Sequence, residues 1–145
     1  MADEQLLAEL RRDEGVVRHA YQDSLGWWTI GVGRLIDPRK GGGLSDAEID
    51  LLLANDVARV EAELDRRLPW WRTLDPARRR VLVNMAFNLG VGGLLGFRNT
   101  LRAVREGRWE DAAEGMLQSK WARQVGARAT RLAAVMRGGA GERVP

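Results

Sequence analysis

Cysteine is absent from the 145-residue chain. That excludes disulfide scaffolds, thiol nucleophiles and Cys-based zinc or iron–sulfur centres. Histidine occurs once, as His19. A histidine-rich metal site is therefore excluded, and so is any chemistry that needs a His pair. Long apolar runs are missing too. None approaches the roughly 20 residues that a membrane-spanning helix needs. The start, Met1-Ala2-Asp3-Glu4, is acidic and lacks the apolar stretch of a secretory signal. The expectation is a chain made and kept in the cytosol unless another factor releases it. Lysine is scarce: 21 of the 23 cations are Arg.

What is present begins with material for a core. Apolar residues make up 45% of the chain and six of them are Trp, which argues against overall disorder. The length suits one domain, or two small lobes sharing one chain. Charge is distributed unevenly. Residues 1–65 carry 7 Lys+Arg and 14 Asp+Glu, a net −7, whereas residues 66–145 carry 16 and 6, a net +10. A basic half implies an anionic partner, such as nucleic acid, an acidic membrane surface or an anionic wall polymer. An ordinary solvated surface is the other reading.

The patterning predicts a helix over 3–14. Asp3 is its N-cap, Leu6, Leu7 and Leu10 mark an apolar face, and Gly15 stops it. From Ala20 to Ile36 the pattern changes. Asp23-Ser24-Leu25-Gly26 signals a turn, and Trp27 to Gly33 is rich in aromatic and β-branched residues. A small antiparallel hairpin or meander is expected. Pro38 to Gly43 reads as a flexible break. Ser45 and Glu48 then form a capping box. Ile49, Leu53, Val57, Val60, Leu64 and Leu68 continue behind it as one long helical stripe, ended by Pro69. Asp75 and Pro76 open a buried helix through Val81 to Leu89. Glycines at 90, 92, 93 and 96 break the chain. Short helices follow from about Asn99, Trp109 and Ala127, and the tail from Gly138 to Pro145 is expected to fray.

Glu14 and Asp23 flank the helix-to-hairpin junction. Two carboxylates beside a cleft are the usual equipment for glycoside hydrolysis. Glu14, at the end of the first helix, is the candidate proton donor of the two. Asp23 lies in a polar turn. Either could equally be a turn or helix-end residue with no further role. Asn84 and Asn88 share one face of an apolar helix, either bonded internally or presented to a polar ligand such as an N-acetyl sugar. Trp27 and Trp28 point to opposite faces of the hairpin, so one of them should be exposed. It would stack on a sugar or cap the small lobe. Trp109 and Trp121 read as core, and Trp70-Trp71 as the anchor of the long helix. Arg78-Arg79-Arg80 opens a helix and reads as a solvated helix face rather than a nucleic-acid patch.

Three stretches are specific together: Asp13-Glu14-Gly15, Tyr21-Gln22-Asp23 and Gly26-Trp27-Trp28-Thr29-Ile30-Gly31-Val32-Gly33. They resemble the signature of the phage-type lysozymes, glycoside hydrolase family 24. Leu74-Asp75, Asn84-Met85, Phe87, Gly96-Phe97, Arg108-Trp109, Trp121 and Arg128 extend the resemblance, which covers roughly residues 5 to 137. Only Ile36 to Ser45 looks shortened. The resemblance implies an α+β, mainly α, lysozyme-like fold. It would be a single domain over 1–145, with a small β lobe (15–44), a linking helix (45–68) and a helical lobe (69–145), joined also by helix 3–14. A cleft for a glycan strand would lie between the lobes, and Gly41 to Gly43 would let them open and close.

The same resemblance implies a muramidase that hydrolyses the β-1,4 bond between N-acetylmuramic acid and N-acetylglucosamine in peptidoglycan. Glu14 would be the proton donor, Asp23 the second catalytic carboxylate and Thr29 the hydroxyl that helps hold the attacking water. Leu35, Phe87, Asn88, Thr100, Tyr21 and Arg128 are the implied substrate-binding residues, and Arg128 also matches the arginine that pairs with the catalytic acid. Gly115 stands where the family has a glycan-contacting Asn, Asn88 replaces a longer Gln and Thr100 a Ser. Arg34 replaces a His, which excludes a structural His–Asp pair. No metal or organic cofactor is implied. The expected role is an endolysin acting as a monomer, without nucleic acid or membrane anchor. It would be made in the host cytoplasm and reach the periplasm through a separate holin. A lytic transglycosylase and a non-catalytic binder of wall polymer are the alternatives. The pairing of Asp23 with Thr29 argues for activated water. Carboxylates in the wider range of ~6.5–9.5 Å, with inversion to an α-anomeric product, are therefore expected.

Overall fold

The computed structural model describes residues 3–139. The expectation of a frayed tail falls, from Ala140 onward, outside them. The chain divides into two compact units, Met1–Leu51 and Leu52–Pro145. The architecture is mainly helical, with one small antiparallel sheet, as the α+β expectation requires.

The first unit opens with α1, Glu4–Glu14, capped by Asp3, whose carboxylate accepts from the Gln5 and Leu6 amides. Gly15 ends it at φ 80°, a region that glycine enters without steric cost. Strands β1 (Val17–Gln22), β2 (Trp28–Gly31) and β3 (Arg34–Leu35) follow as a three-stranded meander in the order β1-β2-β3. β1 starts ahead of the pattern change at Ala20. Only its Val17 and Tyr21 are partly covered, so it has no regular alternation to read.

Pro38 to Gly43 is an ordered turn rather than a break. Pro38–Lys40 forms one turn of 3₁₀ helix, capped by the buried Asp37. The Gly42 and Gly43 amides then donate back to the Asp37 and Leu35 carbonyls. Gly42 lies so close to the Leu35–Ile36 backbone that a Cβ there would sit 2.6 Å from the Leu35 carbonyl oxygen. The capping box opens α2, Asp46–Arg67, as expected: Ser45 Oγ accepts from the Glu48 amide and Glu48 Oε1 from the Ser45 amide.

The second unit holds the main core. The later part of α2 buries Leu64, and Leu68 follows it inside. Trp71 is also buried, and its indole N–H donates to Asp65 Oδ1 of α2 at 2.7 Å, so it anchors that helix as expected. Helix α3, Pro76–Leu89, is capped by Asp75 and contributes Val81, Leu82, Met85 and Ala86 to the core. After it come α4 (Val91–Leu95), α5 (Arg98–Arg105), α6 (Trp109–Leu117), α7 (Lys120–Val125) and α8 (Ala127–Gly138); α4 and α8 pack on α3, and α6 packs on α5 and α8. Ala112 and Ala113 of α6 and Ala129 and Ala133 of α8 are all buried. Such small side chains let two helix backbones approach closely.

Two short helices were not expected. α4 contains Gly92 and Gly93, whose poor propensity is overcome by burial of Val91 and Leu94. α7 is started by Ser119, whose hydroxyl accepts from the Ala122 amide.

Arg78 departs from the solvated-face reading of its triplet. It is buried, with Nε donating to the Met136 carbonyl at 2.7 Å and Nη2 to the Arg137 carbonyl at 3.0 Å. Its guanidinium lies over the Trp109 ring at 3.8 Å and pairs with Asp75. It therefore ties the start of α3 to the open carbonyls at the end of α8. Among the described residues no helix is long and apolar enough to cross a membrane.

Candidate active site

In the first unit, the fold carries Glu14, Tyr21, Asp23, Thr29 and Leu35 on one short helix end and one small sheet. Glu14 is the last residue of α1, so its side chain leaves the helix just as the chain turns into β1. It lies against the bend between β2 and β3. A Cβ placed on Gly33 of that bend would be 2.7 Å from Glu14 Oε2. Among the described residues Glu14 has neither a hydrogen bond nor an ion pair.

Asp23 opens the turn between β1 and β2. Its Oδ1 accepts from the Leu25 amide at 2.9 Å and the Trp27 amide at 2.8 Å. These bonds are the local reason for the Asp-Ser-Leu-Gly turn: an aspartate side chain substitutes for a backbone carbonyl. They also lock the carboxylate. Its other oxygen, Oδ2, has no hydrogen-bond partner among the described residues.

Thr29 is buried at 2% exposure, at the centre of the sheet. Its hydroxyl donates to the Trp27 carbonyl at 2.9 Å, and the Asp23 amide donates to the same carbonyl at 2.9 Å. The Trp27 backbone thus holds Asp23 and Thr29 together: its carbonyl accepts from both, and its N–H donates to the Asp23 carboxylate. Sequence reading named both residues but not the backbone between them. Nothing in the identity of Trp27 signals that role, because only its backbone is used.

Register adds a second relationship. Tyr21 pairs with Thr29, and Thr29 pairs with Leu35. Directly paired residues share a face of a sheet. Tyr21, Thr29 and Leu35 therefore form one row across all three strands. Of the two tryptophans, Trp28 is the exposed one, at 46%. Trp27 carries Arg39 and Lys40 over its ring, at 4.8 and 5.1 Å.

Arg34 replaces the excluded His–Asp pair with a different one. It binds Glu48 through Nη1 at 2.9 Å and Nη2 at 2.6 Å, and its Nη1 also donates to the Gly43 carbonyl. This contact joins β3 to the capping box of α2. The Arg34 guanidinium, with the Ser45 amide and hydroxyl, holds the Glu48 carboxyl down at about 2.

In the second unit, Asn84, Phe87 and Arg128 line a groove of about 650 Å³ together with Arg79 and Arg80. Asn84 Oδ1 accepts from Arg128 Nε at 2.9 Å and Nη2 at 2.7 Å. Asn88 Oδ1 accepts from the Trp121 indole at 2.8 Å. Both amide carbonyls are therefore used internally, while the exposed Asn88 keeps its side-chain NH2 group without a partner among the described residues. Phe87 is 43% exposed, unusual for a residue among the core positions of α3. Thr100 and Gly115 line a separate cavity of about 270 Å³. A Cβ at 115 would collide with Thr100 Oγ1, so glycine at 115 and threonine at 100 fit one another.

The family model described as "Phage lysozyme" matches residues 11–137. The chain is 30% identical over 152 aligned residues to the pre-baseplate central spike protein Gp5 of Enterobacteria phage T4, covering 88% of this chain and 26% of that protein. It thus spans about a quarter of that relative's length. It is 28% identical over 156 residues to the protein named "Probable T4-type lysozyme 1" of Dictyostelium discoideum, covering 90% of this chain and 92% of the relative. The protein named "Probable T4-type lysozyme 2" of the same organism is similar to the same degree, again at 28% identity.

Proposed function

The chain belongs to the phage lysozyme family of glycoside hydrolases that degrade peptidoglycan, and from that premise we propose that it hydrolyses the β-1,4 bond between N-acetylmuramic acid and N-acetylglucosamine. In this reading Glu14 donates a proton to the glycosidic oxygen. Asp23 acts as the base toward a water, and Thr29 orients that water. Host-cell lysis is the biological role that follows.

The observation that carries the reading is the shared Trp27 backbone. Because the Thr29 proton goes to the Trp27 carbonyl, its hydroxyl oxygen can only accept from a second partner. Asp23 keeps Oδ2 for a proton while Oδ1 is held by two amides. A water between them would donate one hydrogen to each oxygen. Its lone pair is then directed away from both, toward the anomeric carbon. A carboxylate that attacked carbon directly would gain nothing from a hydroxyl acceptor beside it. This favours hydrolysis through activated water over transglycosylation.

Electrostatics supports a peptidoglycan substrate. Its lactyl and peptide carboxylates are anionic, and residues 66–145 carry a net +10. Phe87, Asn88, Thr100 and Arg128 in the second unit, and Tyr21 and Leu35 in the first, are the proposed glycan contacts. The exposed Phe87 ring suits stacking on a sugar.

The test is turbidity clearing of permeabilised bacteria by wild type and Glu14→Gln. General acid catalysis contributes about 10²–10⁴-fold, so clearing should fall by that factor while the fold is kept. Near-normal clearing by folded Glu14→Gln protein would refute the assignment. Product mass separates hydrolysis from the 1,6-anhydro outcome.

A further inference from the structure

Gly31, the last residue of β2, and Gly33, in the bend that follows it, have nearly the same φ and different surroundings. Gly31 has φ +71° and nothing within 4 Å of the place where a Cβ would stand. Gly33 has φ +66°, and there a Cβ would meet Glu14 Oε2 at 2.7 Å, Cδ at 3.0 Å and Cγ at 3.3 Å. Backbone strain would therefore explain a glycine at either position. Only at 33 is the missing side chain replaced by something else, the end of Glu14.

We propose that Gly33 is a positioning residue for Glu14: its bare Cα forms the seat in which the carboxyl group lies. This rests on reading Glu14 as the proton donor. Two facts make the seat consequential. Glu14 is exposed and has no hydrogen bond or ion pair among the described residues, so its close contact with Gly33, rather than burial or a polar tether, bounds where its carboxyl lies. The atoms that a Cβ would strike also belong to the far end of a flexible side chain, not to backbone. A methyl group at 33 would therefore move the acid rather than break the sheet. Displacement of a reacting group by about 1 Å costs about 10²-fold in rate.

The experiment compares Gly33→Ala with Gly31→Ala, both purified and checked for folding by thermal melting. The two share the positive-φ strain and should lose similar Tm. The kcat of Gly33→Ala on peptidoglycan should fall about 10²-fold below that of Gly31→Ala, with KM changed by less than about threefold, because the substrate contacts are untouched. Equal kcat in the two variants would overturn the proposal, as would a loss confined to KM. Should Gly33→Ala not fold, the contact predicts that adding Glu14→Ala restores folding to the Gly31→Ala level. A double variant that also failed to fold would overturn it. Glu14→Gln keeps the two claims apart. If that variant stays active, the proton-donor reading falls. If it is inactive while the two glycine variants turn over alike, only the positioning role falls.

Discussion

Asp23 and Thr29 meet on the backbone of one residue: both donate to the Trp27 carbonyl, and the Trp27 N–H returns a bond to the Asp23 carboxylate. The hydroxyl of Thr29 is thereby fixed in direction without touching a carboxylate. Thr29→Val keeps the β-branched shape and removes the acceptor. Its kcat is expected to fall about 10²-fold or more, while Thr29→Ser keeps most of its activity. Steady-state kinetics on the three proteins checks this, and an active Thr29→Val would remove Thr29 from the mechanism.

Glu48 gives the first unit an acid-sensitive link. Its carboxyl lies at about 2, against an ordinary 4.5, chiefly because of the Arg34 guanidinium. A carboxyl lowered in the folded state contributes stability above its unfolded value and loses it as pH falls. The link is therefore intact above about pH 4.5 and lost progressively toward pH 2. Glu48→Gln keeps the capping geometry but cannot titrate. Thermal melts of the two proteins across pH 2–6 should differ most above pH 4.5 and converge toward pH 2. A difference unchanged with pH would show that the pair does not titrate as described.

Arg78 should matter far more to stability than Arg79 or Arg80. Replacing it by Met leaves the Met136 and Arg137 carbonyls without their donor and Asp75 without its partner. Bonds to charged groups contribute about 1.5–3 kcal/mol each, so a net loss of about 2–3 kcal/mol is expected after partial rehydration. Arg80→Met, on an exposed side chain, should change stability by less than about 0.5 kcal/mol. Urea denaturation of both variants measures the contrast.

Most local rules are legible in the sequence, although two are not read there: the Asp37 cap of the turn at Pro38–Lys40 and the Ser119 cap of α7. The Asp3 cap, the Ser45–Glu48 box, the Asp23 turn and the Asp75-Pro76 helix start are all chemistry between residues a few positions apart, and all are present. The rest depends on distant partners. Three consecutive arginines look alike in a sequence, and only the end of α8 singles out Arg78. Gly92 and Gly93 disfavour a helix locally, but burial of Val91 and Leu94 makes one. Arg34 and Glu48 lie too far apart along the chain for spacing to suggest a pair. At the candidate site, the three catalytic candidates came from a motif. Their support came from atoms that no motif names: the Trp27 backbone and the missing Cβ of Gly33.

The basic second half should steer the protein to an anionic wall. Screening shortens to ~8 Å near physiological ionic strength, so binding of Glu14→Gln protein to isolated peptidoglycan should weaken steadily as salt rises. Sedimentation of wall fragments with bound protein measures it. Binding indifferent to salt would show that the net +10 of residues 66–145 serves another purpose.

The central claim is that water, held by Asp23 and Thr29, attacks the sugar while Glu14 protonates the leaving oxygen. One-step attack by water inverts the anomeric centre, whereas a covalent intermediate on Asp23 would retain it. Proton NMR of the first product from a soluble β-linked peptidoglycan fragment, recorded before mutarotation, reads this directly. The account predicts the α-anomer first; a β-anomer appearing first would make Asp23 a nucleophile and contradict it.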